Sequence, residues 1–152
     1  MTSFFVDTSA LVKRYINEHG SPWIMSWITR SSGNIVIVSE LTSIELFSAS
    51  ARRERERTLL PALAQTIRDD FLYHFEHEYL VIELDRSIIA KARELSTLYQ
   101  LRALDSIQLS CAFYAAKLNP PITFICADFN LLTAASAEGF AIDNPNQHLS
   151  AQ

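Results

Sequence analysis

Five short apolar runs separated by helical patterns constrain the fold of this chain more than any other feature of the sequence. The runs are FFV (4–6), NIVIVS (34–39), LVIEL (80–84), ITFIC (122–126) and a shorter FAI (140–142). All but the last are almost continuously apolar or β-branched, as expected for strands that helices cover on both faces. Strands that alternate with helices are joined by right-handed crossovers, so the sequence predicts an α/β fold with a parallel sheet.

The segments between the runs carry helix signals. Pro22 follows Ser21 as a first helical residue follows an N-cap, which predicts a helix from that point. Residues 40–57 and 58–79 predict a pair of helices, and the second of these has apolar residues at helical spacing: Leu60, Leu63, Ile67, Phe71 and Phe75. A similar apolar stripe runs through residues 104–118 and stops where two prolines follow.

Length and composition set the limits within which these elements fold. A chain of 152 residues that is 49% hydrophobic and 20% charged fits one domain over residues 1–146, with a polar tail over 147–152. The net charge of -4 argues against binding polyanions by bulk attraction, so any contact with nucleic acid must be local.

The start of the chain, MTSFFVDTS, resembles no signal peptide, and no run is long enough to span a membrane, which predicts a cytoplasmic protein. Cys111 and Cys126 lie in apolar stretches and are predicted to be buried free thiols.

Acidic residues follow these runs at the edge of the sheet where parallel strands end. Asp7 directly follows the first run, and Asp128 follows the fourth run in FICADFN. Glu45 lies in the helix after the second run, on a face of small or apolar neighbours, and Asp105 lies in the first turn of the helix with the later stripe. Because α/β sheets place their chemistry at the carboxyl ends of strands, we expect these four carboxylates to converge.

Four carboxylates in one place repel one another unless protons or a cation compensate their charge. Oxygen ligands without His or Cys favour a hard ion, so the sequence predicts Mg²⁺ or Mn²⁺. Such an ion polarises a phosphodiester and lowers the pKa of its water, which predicts phosphodiester hydrolysis. Each acid also has an ordinary structural explanation: helix capping for Asp7 and Asp128, a favourable helix dipole for Asp105, and pairing with a basic residue such as Arg52 for Glu45.

Four stretches of the sequence together resemble a known family. They are FFVDTSALVKRY, LTSIELFSA, LRALDSIQLSCA and FICADFNLLTAASAEGFAIDNP, which run in order from residue 4 to about 145. They are similar to the successive signatures of PIN domains, specifically the VapC-type toxins of bacterial and archaeal toxin–antitoxin pairs. The resemblance implies a metal-dependent ribonuclease with a five-stranded parallel sheet between helices in three layers. It also implies a homodimer whose activity a cognate antitoxin inhibits.

The resemblance assigns roles to individual residues. The acidic residues of the family fall on Asp7, Glu45, Asp105 and Asp128. The three aspartates would hold the metal, and Glu45 would ligate it or orient the attacking water as a base. Thr8 matches a hydroxyl position beside the first acid, and Asn130 matches a position that is acidic or amide in some members, so both are secondary or substrate-orienting candidates. Some members of the family have a fifth carboxylate at the position of Asn130, and this chain lacks it. The number of metal ions that the resemblance implies therefore stays open.

Basic residues near the acids are candidates to meet RNA phosphates. These are Lys13, Arg14 and Arg102, with simple solvation an equal alternative for the first two. The segment RRERER (52–57) alternates in sign, which favours an exposed helix held by side-chain pairs over a basic patch. His74 and His77 stand one turn apart without a third matching ligand, which favours surface histidines over a metal site.

Three other functions are alternatives to a ribonuclease. Receiver domains need an acidic pair at the first strand and a Lys at the end of a late strand, and aspartyl-nucleophile phosphatases need an Asp at position 9, which is Ser9. The sequence offers neither pattern. A non-catalytic protein of the same fold that binds RNA or a partner is the stronger alternative, although the intact set of four acids argues against it.

Overall fold

The computed structural model describes residues 1–148, and these residues form an α/β fold as predicted. Five parallel strands make one sheet in the order β3-β2-β1-β4-β5, with the bounds β1 Ser3–Val6, β2 Ile35–Ser39, β3 Leu80–Ile82, β4 Ile122–Ile125 and β5 Ala141–Asp143. Each strand contains most of one predicted apolar run, and the largest difference is that LVIEL forms a strand only over its first three residues. The predicted parallel sheet of five strands is therefore confirmed.

Helices cover both faces of this sheet and produce the predicted three layers. The helices are α1 Thr8–Tyr15, α2 Ser21–Ile28, α3 Leu41–Arg55, α4 Pro61–His77, α5 Arg86–Tyr99, α6 Ala103–Leu118 and α7 Phe129–Ala137, with 3₁₀ turns at Arg30–Ser32 and Pro145–Gln147. One apolar core joins the sheet to α1, α2, α3 and α4, and a second core joins it to α5, α6 and α7. Successive strand residues alternate between these cores, because side chains in a strand point to opposite faces.

Pairing between β1 and β4 brings the ends of these strands level. Phe5 pairs with Phe124 and Val6 with Ile125, and the two phenylalanine rings stack with their centroids 5.6 Å apart in the core. The backbone N–H of Asp7 donates to Ile125 at 3.0 Å, which extends the pairing by one residue. The chain continues from β1 to β2 on one side of β1, whereas β4 lies on the other side, so the strand order reverses here. Open α/β sheets bind their ligands at such a switch point.

Local details differ from the predictions in two places, the start of α2 and the apolar stripe of α4. Ser21 is the first residue of α2 rather than its N-cap, and its hydroxyl binds the preceding loop instead, accepting from Glu18 and donating to Ile16. The N-cap is Gly20 at φ 89°, where an added Cβ would lie 2.7 Å from the carbonyl oxygen of Pro145. The apolar stripe of α4 is buried only in part, because its first residues, Leu60 and Leu63, are exposed.

The helix pair and the cysteines agree with the predictions. The pair predicted over residues 40–57 and 58–79 is α3 and α4, with shorter bounds. Cys111 and Cys126 are buried free thiols. A polar tail was predicted over residues 147–152, and the last four of these lie outside the described part of the chain. The ring of His148 stacks on that of Trp23, with the two ring centroids 3.9 Å apart.

Candidate active site

The four predicted acids line a single cavity at the carboxyl edge of the sheet. The cavity has a volume of about 330 Å³ and is formed by the start of α1, the inner face of α3, the start of α6 and the loop after β4. Its lining residues are Asp7, Thr8, Ser9, Val12, Glu45, Ala49, Arg52, Arg53, Arg102, Asp105, Gln108 and Asp128. The fold thus brings together acids that are up to 121 positions apart in the chain.

Asp7 is both a helix cap and a member of this cavity. It follows β1 and caps α1, because its Oδ1 accepts from the backbone N–H of Ala10 at 3.3 Å and from the hydroxyl of Ser9 at 2.7 Å. Its side chain is almost fully buried, and that burial raises the pKa of Asp7 to about 7 despite these hydrogen bonds, with the charge of Glu45 adding to the rise. A cation beside Asp7 would favour its ionised form.

Glu45 is held by neutral donors rather than by a basic residue. The hydroxyl of Thr8 donates to its Oε1 at 2.9 Å, and the side-chain amide of Gln108 donates to the same oxygen at 2.8 Å. Pairing with Arg52 was one sequence-based explanation of Glu45, and it is wrong, since no ion pair to Glu45 forms within residues 1–148. Thr8 follows Asp7 in the sequence, and its hydroxyl is in direct contact with a second acid of the cavity, Glu45.

Gln108 is a site residue that the sequence reasoning missed. Its side chain is 1% exposed, and its amide nitrogen lies 3.0 Å from the hydroxyl of Thr42 and 3.2 Å from that of Thr8, in addition to its bond with Glu45. It follows Asp105 by three positions, so both side chains lie on one face of α6. A long polar residue one turn after a candidate ligand, in an otherwise apolar helix, is the signal that could have found it.

Asp105 and Asp128 share a counter-ion in Arg102. The guanidinium of Arg102 donates through Nε to Asp105 at 3.0 Å and through Nη2 to Asp128 at 3.2 Å. Asp105 lies in the first turn of α6, and Asp128 caps α7 by accepting from the backbone N–H of Leu131. The side chain of Arg102 is 79% exposed, so this bridge closes the cavity from the solvent side and can open without disturbing the core.

Asn130 lies beside this cavity rather than in it. It is exposed and lines a neighbouring cavity of about 320 Å³, together with Gln100, Leu101, Arg102, Asp105 and Asp128. The two cavities share Arg102 and both of the aspartates that it bridges. Asn130 can therefore touch a substrate that extends past Asp128, but it does not face Asp7 or Glu45.

The basic residues of α1 were candidates either to contact RNA or to be solvated, and in the structure they face neighbouring segments rather than the cavity. Lys13 is buried, and its ammonium group donates to Glu18 at 3.0 Å and to the carbonyl oxygen of His19 at 2.7 Å. The guanidinium of Arg14 donates to Tyr79 at 2.8 Å and pairs with Glu78 at 3.4 Å. Both cations therefore hold α1 to neighbouring segments, and neither is simply solvated.

The prediction of a surface position is also wrong for His74. Its side chain is half-buried at the end of α4, where Nδ1 lies 2.8 Å from the hydroxyl of Tyr15 and Nε2 lies 3.2 Å from the guanidinium of Arg14. Burial, together with the positive charge of Arg14, lowers the pKa of His74. This ring joins α4 to α1 in the structure, whereas His77 is exposed as predicted.

The donors in the cavity fit a hard divalent cation by their chemistry. All four acids offer oxygen atoms, and no His or Cys side chain lines the cavity formed by the described residues. Within residues 1–148, however, no three His, Cys, Asp or Glu side chains are close enough together to form a ready-made ligand group. Arg102 occupies one oxygen each of Asp105 and Asp128, so the guanidinium and a metal ion would compete for these two carboxylates.

A protein family model and a curated relative both match most of this chain. The model of the PIN domain family matches residues 4–118. A curated relative is ribonuclease VapC47 of Mycobacterium tuberculosis (strain CDC 1551 / Oshkosh), which is 29% identical over 150 residues, a stretch that covers 93% of this chain and 96% of the relative.

Several solved structures share the fold of this chain. FitAB bound to the DNA fragment IR36 superposes with a TM-score of 0.67 at 19% identity, covering 97% of this chain and 98% of the other. VapBC2 from Rickettsia felis, bound to a DNA fragment from its promoter, superposes with a TM-score of 0.65 at 14% identity, covering 94% and 98%. At these identities the likeness shows the fold.

Proposed function

Since the chain belongs to the PIN domain family, we propose that it is a Mg²⁺- or Mn²⁺-dependent endoribonuclease and the toxin of a toxin–antitoxin pair. The observation that carries this proposal is the cavity at the switch point of the sheet, which four carboxylates line. A relative named as a ribonuclease that matches 93% of the chain supports the choice of RNA as substrate. The cytoplasm is the compartment that we propose for this activity, and none of the helices in residues 1–148 is long and apolar enough to cross a membrane.

The aspartates would hold the metal in this mechanism. Asp7, Asp105 and Asp128 present carboxylate oxygens from three different elements, and occupancy would favour the ionised form of Asp7. When bound, the ion would supply Lewis-acid polarisation of the phosphodiester and a lowered pKa for an attacking water. The ion would compete with Arg102 for the two carboxylates that this residue bridges, and the exposed side chain of Arg102 would have room to turn away.

Glu45 would act on the attacking water. Its Oε1 already accepts from Thr8 and Gln108, which leaves Oε2 to accept a hydrogen bond from water and then its proton. Thr8 and Gln108 fix the position of this carboxylate. Arg102, once released from Asp105 and Asp128, would donate to a phosphate oxygen of the RNA, and Asn130 would contact the strand on the far side of Asp128.

An antitoxin and a second copy of the chain are the proposed protein partners. The solved neighbours FitAB and VapBC2 are complexes of two components, which supports a partner of this kind here. Arg102 shows that a guanidinium fits between Asp105 and Asp128. We propose that an arginine of the cognate antitoxin binds the same carboxylates, and that this pairing competes with the metal. The homodimer rests on the family resemblance.

A cleavage assay tests this function directly. The purified chain should cut single-stranded RNA with Mn²⁺ or Mg²⁺ and fail to cut it with EDTA. The Asp105→Asn variant should be inactive in the test tube and harmless when expressed, since an amide keeps the shape of the side chain but lacks the charge that the metal needs. If Asp105→Asn cut RNA at a near-normal rate, or if the wild-type chain bound RNA without cutting it, the non-catalytic alternative would replace this proposal.

A further inference from the structure

Two arginines of α3 lie on the cavity of the acids. Glu45, Ala49, Arg52 and Arg53 all line it, and their spacing of four, seven and eight positions places them on one face of the helix. At about 1.5 Å per residue, Arg52 lies roughly 10 Å along α3 from Glu45. The face thus begins with an acid of the proposed site and ends with two cations, with a small alanine between them.

The glutamates that alternate with these arginines in sequence do not cancel them in space. Glu54 turns towards α4, where its carboxylate lies 3.5 Å from the guanidinium of Arg68. Neither Glu54 nor Glu56 lines the cavity. The alternating pattern favours an exposed helix held by side-chain pairs, and Arg53 and Glu54 do form such pairs. The fold in addition places Arg52 and Arg53 together on the face that lines the cavity.

The two arginines differ in how far other groups occupy them. Arg53 pairs with Glu18 at 3.3 Å and keeps 37% of its side chain exposed. Arg52 is exposed and makes no ion pair with any other residue in the described part of the chain. At least one guanidinium on this face is therefore available to a ligand from solution.

A polyanion that enters this cavity needs positive charge near the acids. The net charge of the chain is -4, and the four carboxylates repel phosphates at short range. Guanidinium groups bind phosphate with two parallel hydrogen bonds, which is stronger and better oriented than contact with an ammonium group. We propose that Arg52 and Arg53 form a phosphate-binding site for the RNA strand, and that they hold a phosphate next to the one that is cut. This inference rests on the proposed ribonuclease function.

The experiment measures RNA binding and cleavage separately. Fluorescence anisotropy with a labelled 20-nucleotide single-stranded RNA in EDTA gives the Kd without cleavage, and a second assay with Mn²⁺ gives kcat and KM. The double variant Arg52→Gln/Arg53→Gln should bind about tenfold more weakly at low salt, and the slope of log Kd against log salt should fall by about 0.7, the value for one phosphate contact on a single strand. Its KM should rise by a similar factor while its kcat stays near the wild-type value.

The matched control is Arg55→Gln/Arg57→Gln. These two exposed arginines come from the same segment and carry the same charge, but neither lines the cavity. The control should change the Kd less than twofold. If both double variants bound RNA equally weakly, the effect would come from bulk charge and the proposed phosphate-binding site would be overturned. A normal Kd for RNA in the Arg52→Gln/Arg53→Gln variant would overturn it too. If either of these results were obtained while the wild-type chain still cleaved RNA, the proposed ribonuclease function would be unaffected. A wild-type chain that neither bound nor cut RNA would overturn both the phosphate-binding site and the ribonuclease function.

Discussion

Replacing Asp7 by Asn should make the metal-free protein more stable while it abolishes cleavage. Burial raises the pKa of Asp7 from 3.8 to about 7, so the folded protein holds a proton there that the unfolded chain has lost. Stability tied to a raised pKa is complete below pH 3.8 and disappears as the pH rises towards 7. A shift of roughly 3 pH units at about 1.36 kcal/mol each corresponds to about 4 kcal/mol of lost stability above pH 7.

The asparagine variant avoids this loss because it carries no ionisable group. Its side-chain oxygen can still accept from the backbone N–H of Ala10, so the cap of α1 is kept. We expect Asp7→Asn to gain about 2–4 kcal/mol over wild type at pH 7.5 and almost nothing at pH 4. Urea unfolding in EDTA between pH 4 and pH 8 measures this difference.

Asp85 provides a matched control for the capping role. Its Oδ1 accepts from the hydroxyl of Ser87 and the backbone N–H of Ile88, in the same arrangement as at Asp7, but these bonds lower the pKa of Asp85 because the side chain is exposed to water. A lowered pKa stabilises the fold at neutral pH and loses that effect in acid, so Asp85→Asn should weaken the fold at pH 7.5. If Asp7→Asn also weakened it, or if its gain did not depend on pH, the burial argument would be refuted.

Three further predictions concern the metal and the residues around it. Millimolar Mn²⁺ should raise the melting temperature of the wild-type protein, because binding to the native state stabilises it, and an unchanged melting temperature would count against the metal site. Arg102→Gln should lower the Mn²⁺ concentration at half-saturation about 1.4–5-fold in calorimetry, since an exposed ion pair is worth about 0.2–1 kcal/mol. The variant Arg52→Gln, which removes the same charge without a bridge, shows how much of this is charge alone. Gln108→Leu should reduce kcat with little change in the Kd for RNA, because Glu45 loses a donor, whereas a lower melting temperature at normal kcat would give Gln108 a structural role only.

The sheet and the shared position of the four acids could be predicted because both depend on local sequence. An apolar run of three to five residues specifies a buried strand, and a residue in the first few positions after such a strand lies at the edge of the sheet. Asp7 and Asp128 follow from this rule, whichever helices surround them. Glu45 and Asp105 follow from helical spacing, which orients a side chain relative to its own helix.

The hydrogen-bond partners of these residues could not be predicted in the same way. Glu45 meets Gln108 across 63 positions, and Arg14 meets Glu78 across 64. Each contact depends on how α1, α3, α4 and α6 pack, and the pattern of apolar residues does not encode which long polar side chain reaches which. Lys13 is the clearest example. A lysine near the end of a short helix is expected to be solvated, but here the following loop places Glu18 and the carbonyl oxygen of His19 within hydrogen-bond distance of its ammonium group.

The cavity compensates its four negative charges in three different ways when no metal is bound. Burial raises the pKa of Asp7 and so favours its protonated form, Glu45 accepts from two neutral donors, and Asp105 and Asp128 share one guanidinium. Each of these arrangements is reversible, because a proton can leave and an exposed arginine can turn away. We therefore propose that the same carboxylates exchange these partners for a metal ion without any change in the surrounding core.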